Sequence, residues 1–319
     1  VTRWIADHHQ WNVDSEWMRF IPGIVKGIGF VVNVFCKPDE KVIIQPPVYH
    51  PFRLTPLGNK RQVVMNPLIM NEDGSYSMDF EGLARVADEK CRVLILANPH
   101  NPAGIVWDVD TLRRLADFCS ERGIIVISDE IHCDMAHKGF KHHPFASVSE
   151  RAAQCSITFG APSKTFNIAG IVSSYCVVPN EELRRPFFEW LDANELSEPT
   201  IFSPIATIAA FQNGEEWRQQ MLEYVEANID FVDNFLKTRI PQIKALRPQA
   251  SFLIWLNCRD LNLDHDALNR LFIDGARLAL NDGEMFGEEG RGFMRMNIAS
   301  PRAVLQDAME RLEQAVKAL

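Results

Sequence analysis

The residues best suited to chemistry in this 319-residue chain follow short apolar runs. Pro46-Pro47-Val48-Tyr49 comes after Val42–Gln45, and Asn98-Pro99-His100-Asn101-Pro102-Ala103-Gly104 after Arg92–Ala97. Asp129-Glu130-Ile131-His132 comes after Ile124–Ser128, and Ala161-Pro162-Ser163-Lys164-Thr165-Phe166-Asn167 after Cys155–Gly160. An apolar setting desolvates the Lys164 ammonium, which favours a neutral, nucleophilic amine. A carboxylate such as Asp129 beside that lysine is what a protonated ring nitrogen needs to keep its ring electron-poor. Further along, Arg295 in Phe293-Met294-Arg295-Met296-Asn297 offers a planar fork for a carboxylate. Pro22-Gly23-Ile24-Val25 opens an apolar helical stretch to Phe35, whose first N–H groups lack intrahelical partners and suit an anion.

Positioning these groups requires a repeating scaffold. The four runs, with Ser173–Val178, are continuously apolar and β-branched, as strands buried on both faces should be. Helical patterns lie between them, such as Thr111–Arg122, where Leu112, Leu115, Ala116 and Cys119 keep one face apolar and Gly123 ends the helix. This alternation predicts an α/β unit with a mostly parallel sheet, whose ligands bind beyond the carboxyl ends of the strands. From about Phe211 the texture changes to a long helix, Glu215–Leu236, a strand, Ser251–Leu256, a helix from Asp264 to about Leu278, and a last helix, Ala303–Leu319. We therefore expect a large α/β domain at 1–210 and a smaller α+β domain at 211–319. Val1 opens inside an amphipathic segment, so a preceding piece is expected to be absent from this sequence.

Composition narrows the partners. Lys and Arg number 33 against 42 Asp and Glu, a formal charge of −9, with no basic block to attract nucleic acid or an anionic membrane. No apolar run reaches the roughly 18–20 residues of a membrane span. The seven cysteines are scattered without a C-x-x-C, which suits a reducing cytoplasm. The pairs His8-His9 and His142-His143 lack the four-ligand spacing of a zinc site, and no metal is expected.

Read in order, Asn98–Gly104, Ser128–His132, Ser163–Asn167 and Arg295–Ala299 resemble the motifs of the class I/II aminotransferase superfamily. In detail they resemble the MalY/PatB branch of C–S lyases, the cystathionine β-lyase-like enzymes. The likeness extends over essentially the whole chain. It implies the aspartate aminotransferase-like fold and pyridoxal 5′-phosphate as cofactor. On this likeness Lys164 is the Schiff-base lysine and removes the substrate α-proton, Asp129 pairs with the pyridinium nitrogen, and Asn101 bonds the phenolic oxygen. Tyr49 stacks on the ring and assists proton transfer, His132 contacts the cofactor, and Ser163, Gly23, Ile24 and Val25 surround the phosphate. Arg295 grips the substrate α-carboxylate.

Three departures sharpen the branch. His132 stands where aminotransferases usually have Tyr, Val172 where they often have Arg, and Ala161 where they commonly have Ser. The histidine goes with the lyases. The resemblance thus implies β-elimination from L-cystathionine or a related cysteine S-conjugate, giving a thiol, pyruvate and ammonia. Transamination is the second reading, and a regulatory or binding protein with little turnover the third; intact Lys164, Asp129, Asn101 and Arg295 speak against the latter. A small amino-acid substrate and a homodimer whose neighbouring subunit completes the site are also implied.

Overall fold

A computed structural model describes residues 1–319. Seven strands form one sheet, in the order Met18–Ile21, Ser174–Val177, Ser156–Gly160, Ile125–Asp129, Cys91–Ala97, Lys41–Ile44, Gln62–Met65. Pairing is parallel from Ser156–Gly160 across to Gln62–Met65. The Ser174–Val177 strand runs antiparallel to both of its neighbours, so the sheet is mixed at one edge. Every residue of Ile125–Asp129 and Ser156–Gly160 is buried, Ser128, Asp129, Ser156 and Thr158 included, as in strands covered on both faces.

Helices cover both faces. On one, Ile28 and Val32 from helix Ile24–Phe35 and Phe187 and Leu191 from helix Glu181–Ala193 pack on Val93, Ile127 and Phe159. On the other, Leu112, Leu115, Ala116 and Cys119 of helix Val109–Glu121 pack on Leu94, Leu96 and Val126. No helix is long and apolar enough to cross a membrane.

A second, antiparallel sheet has the order Lys244–Leu246, Leu253–Asn257, Phe293–Asn297, Asn281–Asp282. It shares a separate apolar core with helices Glu215–Arg239 and Arg302–Lys317, including Val232, Leu236, Met294, Leu305 and Leu312. The helix expected over Asp264–Leu278 is shorter. It is regular only for His265–Arg270, widens over Leu271–Gly275, and ends where Arg277 takes a positive φ of 54°. That turn brings Leu278 into the core and leads to the strand Asn281–Asp282.

Trp255 joins the two parts. It lies in the antiparallel sheet, yet its fully buried ring belongs to the core beneath helix Val109–Glu121. It stacks on Phe293 at 5.0 Å, meets Phe286 edge-on at 5.3 Å, and its Nε1–H donates to the Tyr76 hydroxyl at 3.3 Å. Trp255→Ala is expected to cost roughly 3–5 kcal/mol, as large aromatic truncations in cores do. Chemical denaturation checks this, as a lower midpoint at unchanged slope.

Candidate active site

The sheet register assembles the site. Ala97, Asp129 and Phe159 lie side by side on three adjacent parallel strands, so the segments that follow them leave the sheet together. Asn98 N donates to Asp129 O at 2.9 Å and Glu130 N to Phe159 O at 2.8 Å, extending the alignment past the strand ends. A cavity of about 390 Å³ opens there. Every site residue expected from the sequence lines it: Gly23, Ile24, Val25, Tyr49, Asn101, Asp129, His132, Ser163, Lys164 and Arg295.

Local geometry explains how each arrives. Gly104 closes the Asn98–Gly104 turn at a φ of 67°, and a Cβ there would stand 2.5 Å from Pro248 Cβ. Only glycine fits that approach, which fixes the loop carrying Asn101. Gly23 precedes helix Ile24–Phe35 with a φ of 120° and no side-chain cap, leaving the first N–H groups of the helix unclaimed by a side chain.

Asp129 is buried, and its one hydrogen bond is accepted from Ile131 N at 3.1 Å. Burial pushes its carboxyl up to about 7, with the Lys164 charge a minor opposing influence. His132 is buried with an unpartnered Nδ1, and its ring meets Phe252 edge-on at 5.9 Å. Burial first, then the charges of Lys164 and Arg295, push it down to about 3, so it is neutral. Tyr49 is half-buried, with Phe52 edge-on at 6.2 Å; burial and then the Asp129 charge raise its phenol.

Arg295 arrives from the antiparallel sheet. Its Nη1 donates to Asn101 Oδ1 at 2.8 Å and its Nη2 to Asn281 Oδ1 at 2.7 Å, while its buried Nε has no partner. The guanidinium lies over the Phe286 ring at 4.7 Å, and burial lowers it to about 10.

The setting of Lys164 differs from expectation. The side chain is exposed on the cavity wall, not desolvated among apolar neighbours. The reason is the path of the turn, in which Phe166 points away to pack on Trp4 at 5.8 Å and Phe211 at 5.9 Å. Val172 also lines the cavity, 44% exposed and with a φ of 55°, an uncommon conformation for a β-branched residue.

Sequence reasoning missed Asn281 and Phe252, which line the same cavity. Asn281 faces Arg295 only through strand pairing, and no local motif announces that. It also treated the remaining histidines as bystanders. His142 Nε2 meets buried Glu130 at 3.0 Å, His9 Nε2 meets Asp134 at 2.8 Å, and Trp4 Nε1–H donates to the same Asp134 oxygen at 2.8 Å. Cys133 completes a cluster with His9 and Asp134, but burial pushes its thiol far up, so it stays neutral. These contacts hold the segment Asp129–Asp134 from behind and tie helix Thr2–His9 to it.

Residues 1–312 match the family model for aminotransferase class I and II. The chain belongs to this family. It is similar to cystathionine β-lyase PatB of Bacillus subtilis (strain 168), 38% identical over 317 residues that cover 99% of this chain and 82% of that protein. Protein MalY of Escherichia coli (strain K12) is 31% identical over 320 residues, covering 100% and 81%. The crystal structure of cystalysin from Treponema denticola, described as containing a pyridoxal 5′-phosphate cofactor, superposes with a TM-score of 0.96. It is 33% identical and covers 99% of this chain and 80% of that one.

The Asp129 environment has a measurable signature in the chain without bound ligand. Unfolded, the carboxyl titrates near 3.9; folded, at about 7. Its contribution to stability is therefore fully present below about pH 4 and is lost as the pH rises through 7. Unfolding free energies measured from pH 5 to 8 should fall more steeply for wild type than for Asp129→Asn. Parallel profiles would mean that Asp129 is not perturbed.

Proposed function

We propose that this chain is a pyridoxal 5′-phosphate-dependent C–S β-lyase that cleaves L-cystathionine or a related cysteine S-conjugate. The observation that carries the reading is the convergence of Lys164, Asp129, Asn101 and Arg295 on one cavity, with His132 beside them. The cavity suits this cofactor on its own evidence. Asp129 is a buried carboxyl with room for a cationic N–H donor, and the Gly23–Val25 helix start and Ser163 offer donors to a phosphate. The Lys164 side chain stands exposed on the same wall.

When bound, the cofactor supplies an electron sink that eases loss of the α-proton and departure of a β-substituent. Asp129 would pair with a protonated ring nitrogen, and its negative charge would be favoured with that partner in place. Asn101, whose carbonyl accepts from Arg295, has its amide NH₂ left to donate and would bond the ring oxygen. Tyr49 would stack on the ring, and the neutral His132 lines the same cavity. Arg295 takes the α-carboxylate, which fixes the Cα–H bond with respect to Lys164. Lys164 removes that proton as general base, the thiolate leaves the β-carbon and is protonated to a thiol, and water converts the remainder to pyruvate and ammonia.

Three wider features follow the same reading. The division expected at 210/211 falls within helix Phe202–Asn213, and the break after that helix is Gly214, with Arg295 reaching the cavity from the part that follows. Seven buried, unpaired cysteines suit the cytoplasm. A homodimer is supported by the apolar face of Ile201, Phe202, Ile205 and Ile208, each more than half exposed, on and beside helix Phe202–Asn213. That helix adjoins the cavity wall through the 2.7 Å hydrogen bond between Ser173 and Thr207 hydroxyls.

Incubation with L-cystathionine and no keto-acid acceptor should release pyruvate and thiol in equal amounts. Lys164→Ala should abolish this and the visible absorbance of the bound cofactor. Product formation only when a keto acid is added would replace the lyase reading with transamination. Ile205→Glu should shift the protein from dimer to monomer in sedimentation; a wild type that is already monomeric would remove the dimer.

A further inference from the structure

Arg295 is the only guanidinium on the cavity wall, and no carboxylate lies within ion-pair distance of it. Its two terminal nitrogens are held instead by neutral amide oxygens, Asn101 at 2.8 Å and Asn281 at 2.7 Å, and its buried Nε is unpartnered. The two holders come from different places. Asn101 sits on the loop that follows the interior strand Cys91–Ala97 of the large sheet, whereas Asn281 is the direct antiparallel partner of Arg295 in the small one. Cross-strand partners project to the same face, so this contact is set by the pairing.

The acids that follow Asn281 have partners of their own. Asp282 turns its Oδ2 to His265 Nε2 at 3.2 Å and Asn269 Nδ2 at 3.3 Å, and Glu284 is engaged by Arg291 Nε at 3.0 Å. We propose that Asn281 is a positioning residue for recognition of the substrate α-carboxylate. It orients the Arg295 fork through a neutral acceptor and leaves the positive charge free for the substrate. The proposal rests on the reading of Arg295 given above. It makes the identity of residue 281 a determinant of selectivity for ligands with a free α-carboxylate over amines that lack one. An acidic residue at 281 would satisfy Arg295 internally and remove that selectivity.

The test uses the holoenzyme with Asn281→Asp, Asn281→Ala and Arg295→Gln. Two probes are titrated by the change in cofactor absorbance: 2-aminoisobutyrate, which has an α-carboxylate and no α-proton, and isopropylamine, in which a hydrogen replaces that carboxylate. Asn281→Asp should weaken 2-aminoisobutyrate at least about tenfold and leave isopropylamine unchanged, as loss of one charge-assisted contact implies. KM for L-cystathionine should rise with it while kcat changes by less than about threefold, the pattern of lost uniform binding. Asn281→Ala should show the same selective loss at about threefold, and it carries the test if the aspartate variant does not fold.

Equal weakening of both probes would reduce Asn281 to a structural part and overturn the proposal. So would wild-type carboxylate binding in both Asn281 variants while Arg295→Gln loses it, an outcome that leaves the reading of Arg295 intact. Undiminished carboxylate binding in Arg295→Gln would remove that reading and the proposal together.

Discussion

Parallel strands with a common register end in a common plane, and the candidate site depends on that constraint. Ala97, Asp129 and Phe159 are neighbours across three strands, so the turn that carries Asn101, the segment from Asp129 to His132 and the turn that carries Lys164 begin side by side. A one-residue slip would move Asp129 to the opposite face of the sheet, away from the cavity. The apolar burial of these strands on both faces makes such a slip costly. Core packing therefore sets the spacing of the polar groups.

Two adjacent acids show how the fold separates structural from chemical roles. Glu130 is buried and fully engaged: its carboxylate accepts from Ser128 Oγ, from Phe145 N and from His142 Nε2, at 2.8, 2.8 and 3.0 Å. Asp129, one residue earlier, accepts a single hydrogen bond and is pushed up to about 7 by burial. Arg295 is in a similar state with the opposite sign. Polar groups left partly satisfied inside a protein cost stability, and here they sit around one cavity where a ligand supplies the missing partners.

Most of this organisation was legible in the sequence because it rests on local signals. Continuous β-branched runs marked the buried strands, and the Pro-, Gly- and Asn-rich segments after them marked the turns. Motif resemblance supplied the roles for Lys164, Asp129, Asn101 and Arg295. What escaped depended on three-dimensional pairing. Asn281 reaches Arg295 through antiparallel register, and the edge strands Met18–Ile21 and Gln62–Met65 are short with mixed burial, so neither carries a clear pattern. The exposure of Lys164 was misjudged for a related reason. The apolar residue beside it, Phe166, finds its packing with Trp4 and Phe211, far apart in sequence.

The segment Asp129–Asp134 presents two faces. Asp129 and His132 turn to the cavity, while Glu130 and Asp134 turn inward to His142, His9 and Trp4. In evolutionary terms, a change of reaction chemistry at position 132 has to occur within a framework that cannot itself drift freely. Substitution at 130 or 134 strands several partners at once, Ser128, Phe145 N and His142 for the one, His9 and Trp4 for the other, so no single second change restores either. Tolerance to change within this segment is thereby divided: the inward positions are constrained by partners on other elements, and the cavity-facing ones by the ligand they meet.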